Sequence, residues 1–141
     1  MRAKPAEIAN VFGLEHAESI TLLDLAHRCE EGLPKYCFQR VSQILVPEGK
    51  QFLESLISPA SLGHRKLGKL TPWKVDCIVR LTDCWLVALS VFQDEGKAKR
   101  FLTSPHAFLA GRPALQVAAA YSCGAQVVDH LLGGLRYGSV A

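Results

Sequence analysis

The longest helical signal in the chain is the segment TPWKVDCIVRLTDCWLVALSVF, residues 71–92. Thr71 is a typical N-cap residue, and Pro72 suits the first helical turn. Apolar residues recur at the three- and four-residue spacing of one helix face. They are Val75, Ile78, Leu81, Trp85, Ala88, Leu89 and Phe92. The segment therefore predicts a long central core helix over residues 72–92.

Helical spacing continues on both sides of this segment, and no stretch alternates for long as a strand would. Before it, helices are predicted over residues 19–31, from Pro34, from Pro47 and over residues 59–67. The apolar face of the first is expected to comprise Leu22, Leu23, Leu25 and Ala26. Residues 1–18 are expected to be a flexible segment, because the first dozen residues show no periodicity.

After the central segment, Asp94 caps a further helix and Pro113 starts a short one ending near Tyr121. The last helix is expected to face inward through Val127, Val128, Leu131, Leu132 and Leu135. The predicted fold class is therefore all-α. A small helix-turn-helix-like unit precedes a C-terminal helical bundle.

The helices predicted from Pro47 and over residues 59–67 are short and separated by a tight turn, which suggests a helix-turn-helix. Ser61 and His64 lie one turn apart in the second of them and are candidates to face a DNA groove, with Arg65 and Lys66 meeting phosphates. The alternative is a solvated helix end whose basic residues favour the C-terminal dipole. Periodicity leaves both interpretations open.

Composition indicates an ordinary globular protein of 141 residues with a net charge of +3. The charge is +1 over residues 1–70 and +2 over residues 71–141, so any contact with nucleic acid must come from a local cluster. The five cysteines include no CxxC pair and are expected to be reduced, mostly buried thiols. The absence of a signal-peptide pattern or a long apolar run predicts a cytoplasmic protein without a membrane span.

Enzyme chemistry finds little support in the sequence. Cys123 lies near a predicted helix N-terminus, where a thiolate is favoured, and His106 and His130 are near it in sequence. No oxyanion-hole motif or third orienting group accompanies them, and a packed small side chain is the simpler interpretation. The histidines and cysteines show no metal-ligand spacing. The expectation is no catalysis, no metal and no cofactor.

The segment FLTSPHAFLAGRPALQVA, residues 101–118, places two large apolar residues, Phe108 and Leu109, at the tip of a connection. Beside Gly111, Arg112 and Pro113 they would form a rigid apolar knob with a charged edge, which suits a partner-binding hot spot. The alternative is that Leu109 packs into its own domain. The sequence does not decide between the two.

Residues 70–141 resemble the C-terminal toxin-binding domain of Xre/MbcA/ParS-type antitoxins. The segment LTP, residues 70–72, begins a helix that contains the Arg80–Leu81 pair. The segments VFQDEGKAKRFL (91–102) and SPHAFLAGRPAL (104–115) follow in the family's order. Gly124, Val128 and the final segment RYGSVA (136–141) complete the resemblance. Residues from the GLP at 32–34 through SPASLGHRKL at 58–67 resemble the Xre-type helix-turn-helix that precedes this domain in many members.

The sequence departs from the family pattern at several places. The family often has a Thr-Leu-x-Arg-Arg pattern where this chain has Ser61, Leu62, Gly63, His64 and Arg65. Gly63 would lie inside the recognition helix, where glycine costs about 1 kcal/mol against alanine. Phe101 stands where tryptophan is usual. Residues 121–123, Tyr-Ser-Cys, replace a more polar segment, which would change partner choice without changing the fold.

The resemblance implies an antitoxin that does no chemistry and binds a RES-domain toxin over its NAD cleft, the toxin consuming NAD or transferring ADP-ribose. It also implies self-association, a hetero-oligomer with the toxin, and binding to the protein's own operator DNA. The alternative is a stand-alone helix-turn-helix regulator without a toxin. The implied domains are residues 19–68 (helix-turn-helix) and 69–141 (toxin binding). The toxin-contacting candidates are Leu109, Gly111, Arg112, Arg136, Tyr137, Gly138, Ser139, Val140 and Ala141.

Overall fold

The computed structural model describes residues 3–46 and 68–136. Within these ranges, two short strands, β1 (Pro105–His106) and β2 (Arg112–Pro113), pair antiparallel, and the other elements are helices. The helices are α1 (Pro5–Phe12), α2 (Leu22–Glu31), α3 (Lys35–Leu45), α4 (Pro72–Phe92), α5 (Glu95–Thr103), α6 (Ala114–Ala120) and α7 (Gly124–Arg136). The predicted all-α class is confirmed.

α4 is the central helix, and its predicted limits of 72 and 92 are confirmed. The Thr71 hydroxyl accepts a hydrogen bond from the Lys74 backbone N–H at 3.4 Å and so caps its first turn. All six other α-helices described pack on α4. Burial therefore extends beyond the predicted apolar stripe to Cys77, Cys84 and Val87, and a helix surrounded in this way becomes apolar on more than one face.

The expectation that the first residues fray is wrong for residues 5–12, which form α1. Pro5 starts this helix and Gly13 ends it in a left-handed conformation with φ 76°. Ile8, Ala9 and Phe12 are fully buried, and the Ala3 backbone N–H donates to Asp83 on α4 at 2.8 Å. The helix is only two turns long, so its one apolar face repeats too few times to give a periodic signal.

α2 begins at Leu22 rather than at residue 19. Thr21 and Asp24 form a reciprocal capping box, with hydrogen bonds of 3.1 and 3.0 Å, and this fixes the start of the helix. The predicted apolar face is wrong except at Leu25, because Leu22 and Leu23 are 59% and 65% exposed and Ala26 is exposed as well. α2 lies at the edge of the bundle, where only a narrow stripe faces α1 and α4.

α3 follows the prediction: it starts after Pro34 and buries Cys37, Phe38, Val41 and Leu45. Its N-terminus is joined to the chain that leads into α4, since the Lys35 N–H donates to the Gly68 carbonyl at 2.9 Å and the Leu70 N–H donates to the Leu33 carbonyl at 2.8 Å. The helices predicted from Pro47 and over residues 59–67 lie outside the described residues.

One hydrophobic core runs through the described residues on both sides of position 69. α1 and α3 contribute Phe12 and Val41 to it, and α4 and α7 contribute Leu81 and Leu132. α1 and α3 pack directly on α4. The predicted boundary between residues 68 and 69 therefore does not separate two hydrophobic cores in this part of the chain.

Candidate partner-binding surface

The connection between α5 and α6 is a short, closely bonded hairpin. β1 and β2 pair Pro105 with Pro113 and His106 with Arg112, and a single 3₁₀ turn, Ala107–Leu109, lies between them. The chain returns through Ala110 and Gly111, both in the left-handed region with φ 57° and 78°. The Gly111 N–H donates to the His106 carbonyl at 2.9 Å. Glycine takes this conformation without the strain that a Cβ atom adds.

The two apolar residues at the tip of this hairpin point to different environments. Leu109 is only 5% exposed and belongs to the protein's own core, whereas Phe108 is 70% exposed. The predicted toxin contact Leu109 thus has little surface to offer a partner, and its side chain holds the hairpin on the bundle. Phe108, predicted as part of the apolar knob but not among the toxin-contacting candidates, is the residue that the tip presents to solvent.

An aromatic cluster fixes the base of the hairpin. The Phe101 ring lies 5.5 Å from the Phe92 ring and 4.5 Å from the His106 ring, centroid to centroid. His106 Nε2 lies 2.7 Å from the Phe101 carbonyl oxygen. A carbonyl can only accept, so Nε2 carries the proton and donates. Phe101, which stands where the family usually has tryptophan, is buried and anchors the hairpin base through these ring contacts.

Arg112 links the hairpin to the turn after α6. Its Nε donates to the Leu109 carbonyl at 3.4 Å, and its Nη1 donates to the Tyr121 hydroxyl at 3.0 Å. The guanidinium carbon also lies 5.3 Å from the centre of the Tyr121 ring, a cation–π arrangement. Tyr121 is 46% exposed. Tyr121, which departs from the family pattern, was not among the predicted toxin contacts, yet it lies beside the hairpin arginine.

The turn between α6 and α7 is held from below by Arg80 on α4. Arg80 Nε donates to the Ala118 carbonyl at 2.8 Å and Nη2 donates to the Ala119 carbonyl at 3.1 Å. The last carbonyls of a helix have no partner within it, so Arg80 acts as the C-terminal cap of α6. This contact gives a structural reason for the Arg80–Leu81 pair, and it fixes the chain just before Tyr121.

Gly124 lets α7 start against the backbone of α6. A Cβ atom on Gly124 would lie 2.8 Å from the Ala118 Cα and still closer to the Val117 carbonyl oxygen. Real side chains do not tolerate such distances to backbone atoms, so only glycine fits here. The first residue of α7 is thus fixed relative to the hairpin and to Tyr121.

α7 buries only part of its predicted apolar face. Val128, Leu131 and Leu132 are in the core, while Val127 and Leu135 are 41% and 44% exposed. α7 ends at Arg136, the first residue of the predicted tail. Tyr137, Gly138, Ser139, Val140 and Ala141 lie outside the described residues, as do the DNA-contact candidates Ser61, His64, Arg65 and Lys66.

The described residues offer no catalytic arrangement around Cys123. The thiol is exposed in the turn before α7, but the structure shows no hydrogen bond joining it to a histidine, and His106 is engaged with the Phe101 carbonyl. Within the same residues no cluster of His, Cys, Asp or Glu side chains is arranged to hold a metal ion. No helix among them combines the length and apolar character needed to cross a membrane.

Four of the five cysteines lie partly or fully inside the fold, and none forms a disulfide. Burial raises the pKa of the Cys37 thiol to about 11 and that of the Cys77 thiol to about 12. Burial also raises the pKa of the thiols of Cys29 and Cys84. The buried thiols are therefore protonated and unreactive near neutral pH, which agrees with a packing role.

Residues 88–138 match the family described as the antitoxin Xre/MbcA/ParS C-terminal toxin-binding domain. The predicted family resemblance is confirmed for this region. The matched region starts within α4 and includes α5, the hairpin, α6 and α7, so it covers less than the 70–141 range of the sequence analysis. The match supports an antitoxin role and a toxin partner, and with them a regulatory rather than an enzymatic protein. A search among curated proteins gives no match.

Proposed function

We propose that this protein is the antitoxin of a toxin–antitoxin pair and that its partner is a RES-domain toxin that consumes NAD or transfers ADP-ribose from it. The observation that supports this most directly is the toxin-binding-domain match over residues 88–138. The described part of this region, residues 88–136, forms a well-packed set of helices with a hairpin on the surface. The antitoxin acts in the cytoplasm by binding and needs no catalytic group of its own.

The proposed toxin contacts lie in two places, the hairpin and the C-terminal tail. Gly111 and Arg112 belong to the hairpin, where Leu109 contributes by holding the loop in place. Arg136 to Ala141 form the second element, which we propose enters the NAD cleft. A single Arg and a single Tyr suit such a cleft, because guanidinium groups pair well with phosphate and carboxylate groups. Deleting residues 136–141 is expected to weaken toxin inhibition and affinity; if both stay unchanged after the deletion, the tail is removed from this proposal.

Operator binding and self-association are the second part of the proposal. The candidate DNA contacts are Ser61, His64, Arg65 and Lys66, which follow the helix-turn-helix pattern of the sequence. Replacing Arg65 and Lys66 together with alanine should weaken binding to the promoter DNA and flatten its dependence on salt, since fewer counterions are released. Promoter binding that keeps its affinity and its salt dependence would contradict the DNA-contact assignment.

The experiment that tests the antitoxin function is co-expression with the product of the neighbouring gene, followed by a pull-down and a measurement of cellular NAD. The expected result is a gene product that is toxic alone, depletes NAD, and is silenced in a stable complex with this chain. A toxic and rescued partner that leaves NAD intact would indicate protein ADP-ribosylation instead. No toxicity and no complex would contradict the antitoxin function and favour a stand-alone DNA-binding regulator.

A further inference from the structure

Arg112 connects the hairpin tip that carries one exposed aromatic residue, Phe108, with a second exposed aromatic residue, Tyr121. Phe108 is 70% exposed and Tyr121 is 46% exposed, and Arg112 bonds both to the Leu109 carbonyl next to Phe108 and to the Tyr121 hydroxyl. We propose that Phe108, Arg112 and Tyr121, the aromatic–arginine surface, form the centre of the toxin contact, and that the toxin presents there an apolar pocket edged by carboxylates. This inference rests on the proposed antitoxin function and specifies the chemistry of its contact.

The turn that carries Phe108 and the side chains of Arg112 and Tyr121 are held in place before any partner arrives. Burial of Leu109 and the left-handed pair Ala110 and Gly111 fix the turn that carries Phe108. Arg112 and Tyr121 restrain each other through a hydrogen bond of 3.0 Å. Ordering flexible side chains costs free energy on binding, so side chains that are already ordered retain more of their contact energy as affinity.

Charge indicates the kind of partner. Residues 101–128 contain Arg112 and no Lys, Asp or Glu, so Arg112 carries the one formal charge of this stretch. The acidic residues Asp94, Glu95 and Asp129 lie outside it in sequence. A single positive charge among apolar residues favours a partner that presents a carboxylate to the hairpin.

The side-chain types favour a protein partner over nucleic acid. Tyr, Phe and Arg are enriched at the centres of protein interfaces, where large rings fill pockets. The described contacts of Arg112 use Nε and Nη1, and its Nη2 donors point to no described acceptor, so they remain able to pair with a carboxylate. Phosphate contacts, in contrast, are typically made by several mobile basic side chains along a groove.

The test compares two exposed-residue truncations in the full-length chain. Phe108→Ala removes the most exposed ring of the surface, and Leu23→Ala removes a side chain of similar exposure, 65%, on α2 outside the matched region. Affinity for the purified neighbouring-gene toxin is measured by calorimetry, with thermal melts confirming that both variants are folded. Phe108→Ala is expected to weaken binding by at least about tenfold, as hot-spot truncations do, while Leu23→Ala binds as the wild type does.

A second pair of variants tests the arginine. Arg112→Lys keeps the charge but loses the fork that holds Tyr121, and Tyr121→Phe removes only the hydroxyl; both are expected to weaken toxin binding, Arg112→Lys more strongly. If Phe108→Ala and Arg112→Lys both bind the toxin with wild-type affinity, the proposal of the aromatic–arginine surface is overturned and the antitoxin function is left intact. A loss of promoter-DNA binding with unchanged toxin binding would overturn it in favour of a nucleic-acid contact. No binding by the wild type would overturn both proposals.

Discussion

Gly124 shows how one residue without a side chain can set the position of a helix. The backbone of α6 passes so close to this position that a Cβ atom would lie 2.8 Å from the Ala118 Cα. Gly133, on the same helix, has no described atom within 4 Å of the place where its Cβ would be, apart from its chain neighbours and the nearby backbone of its own helix. The two glycines therefore have opposite physical roles: Gly124 permits a close contact, whereas Gly133 only makes the helical state entropically less favourable.

The same substitution at these two positions should have effects of opposite sign. Gly124→Ala is expected to lower the free energy of unfolding by about 1–3 kcal/mol, because the added methyl group overpacks a backbone contact. Gly133→Ala is expected to raise it by about 0.5–1 kcal/mol through better helix propensity. Urea unfolding of both variants measures these changes. A neutral or stabilising Gly124→Ala would contradict the close approach of α6 and α7.

Thiol reactivity should separate one cysteine from the others. Cys123 is exposed, so a disulfide reagent at pH 8 is expected to label it rapidly, and Cys123→Ser should remove this fast phase. Burial raises the pKa of the Cys37 thiol to about 11 and that of Cys77 to about 12, and these thiols should react only on unfolding. Fast labelling of either one in the native protein would contradict its burial.

The raised thiol pKa values also set the direction of a pH effect on stability. The unfolded thiols lose their protons near pH 9, whereas the folded thiols of Cys37 and Cys77 hold theirs to about 11 and 12. The unfolded state therefore binds fewer protons in this window, and stability falls as the pH rises through it. Below pH 9 both thiols are protonated in the folded and the unfolded state, so they add no pH dependence to the free energy of unfolding.

The hairpin is the element that the sequence described most ambiguously, and the two residues at its tip can be separated by experiment. Leu109→Ala is expected to lower the free energy of unfolding by about 2–4 kcal/mol, because the side chain is buried in the core. Phe108→Ala is expected to change it by less than about 0.5 kcal/mol, because the ring is mostly exposed. Thermal or urea unfolding of the pair checks this. Similar losses in both variants would contradict the division of roles between core and surface.

The elements that were predicted well are those whose signals are local. α3 starts after a proline and α4 after a capping threonine, and both have apolar repeats long enough to be read directly; the start of α3 and both ends of α4 were placed to within a residue or two. α1 was missed because two turns give too short a pattern. The exposed face of α2 was missed because periodicity shows that leucines share a face but not whether another helix covers it. Contacts across the fold, such as Arg112 with Tyr121, leave no trace in local spacing.

At the scale of the whole molecule, the described N-terminal helices and the matched region share one core. Phe12 is fully buried on α1, which packs on α3 and α4. Phe12→Ala is expected to cost about 3–5 kcal/mol of stability. α4 carries both tryptophans, Trp73 and Trp85. In Phe12→Ala, the melting temperature followed by tryptophan fluorescence should therefore decrease to the same value as the one followed by far-UV circular dichroism. Tryptophan fluorescence that melts as in the wild type would show that the C-terminal helices fold independently.

The link between the start of α3 and the approach to α4 has a consequence for how the starts of these two helices are held together. The Lys35 N–H donates to the Gly68 carbonyl, and the Leu70 N–H donates to the Leu33 carbonyl. Both bonds join main-chain groups, so they persist whatever side chains stand at these four positions. Proline is the exception at residues 35 and 70, because it has no N–H to donate. The register between the starts of α3 and α4 is therefore set by the backbone and tolerates most substitutions there.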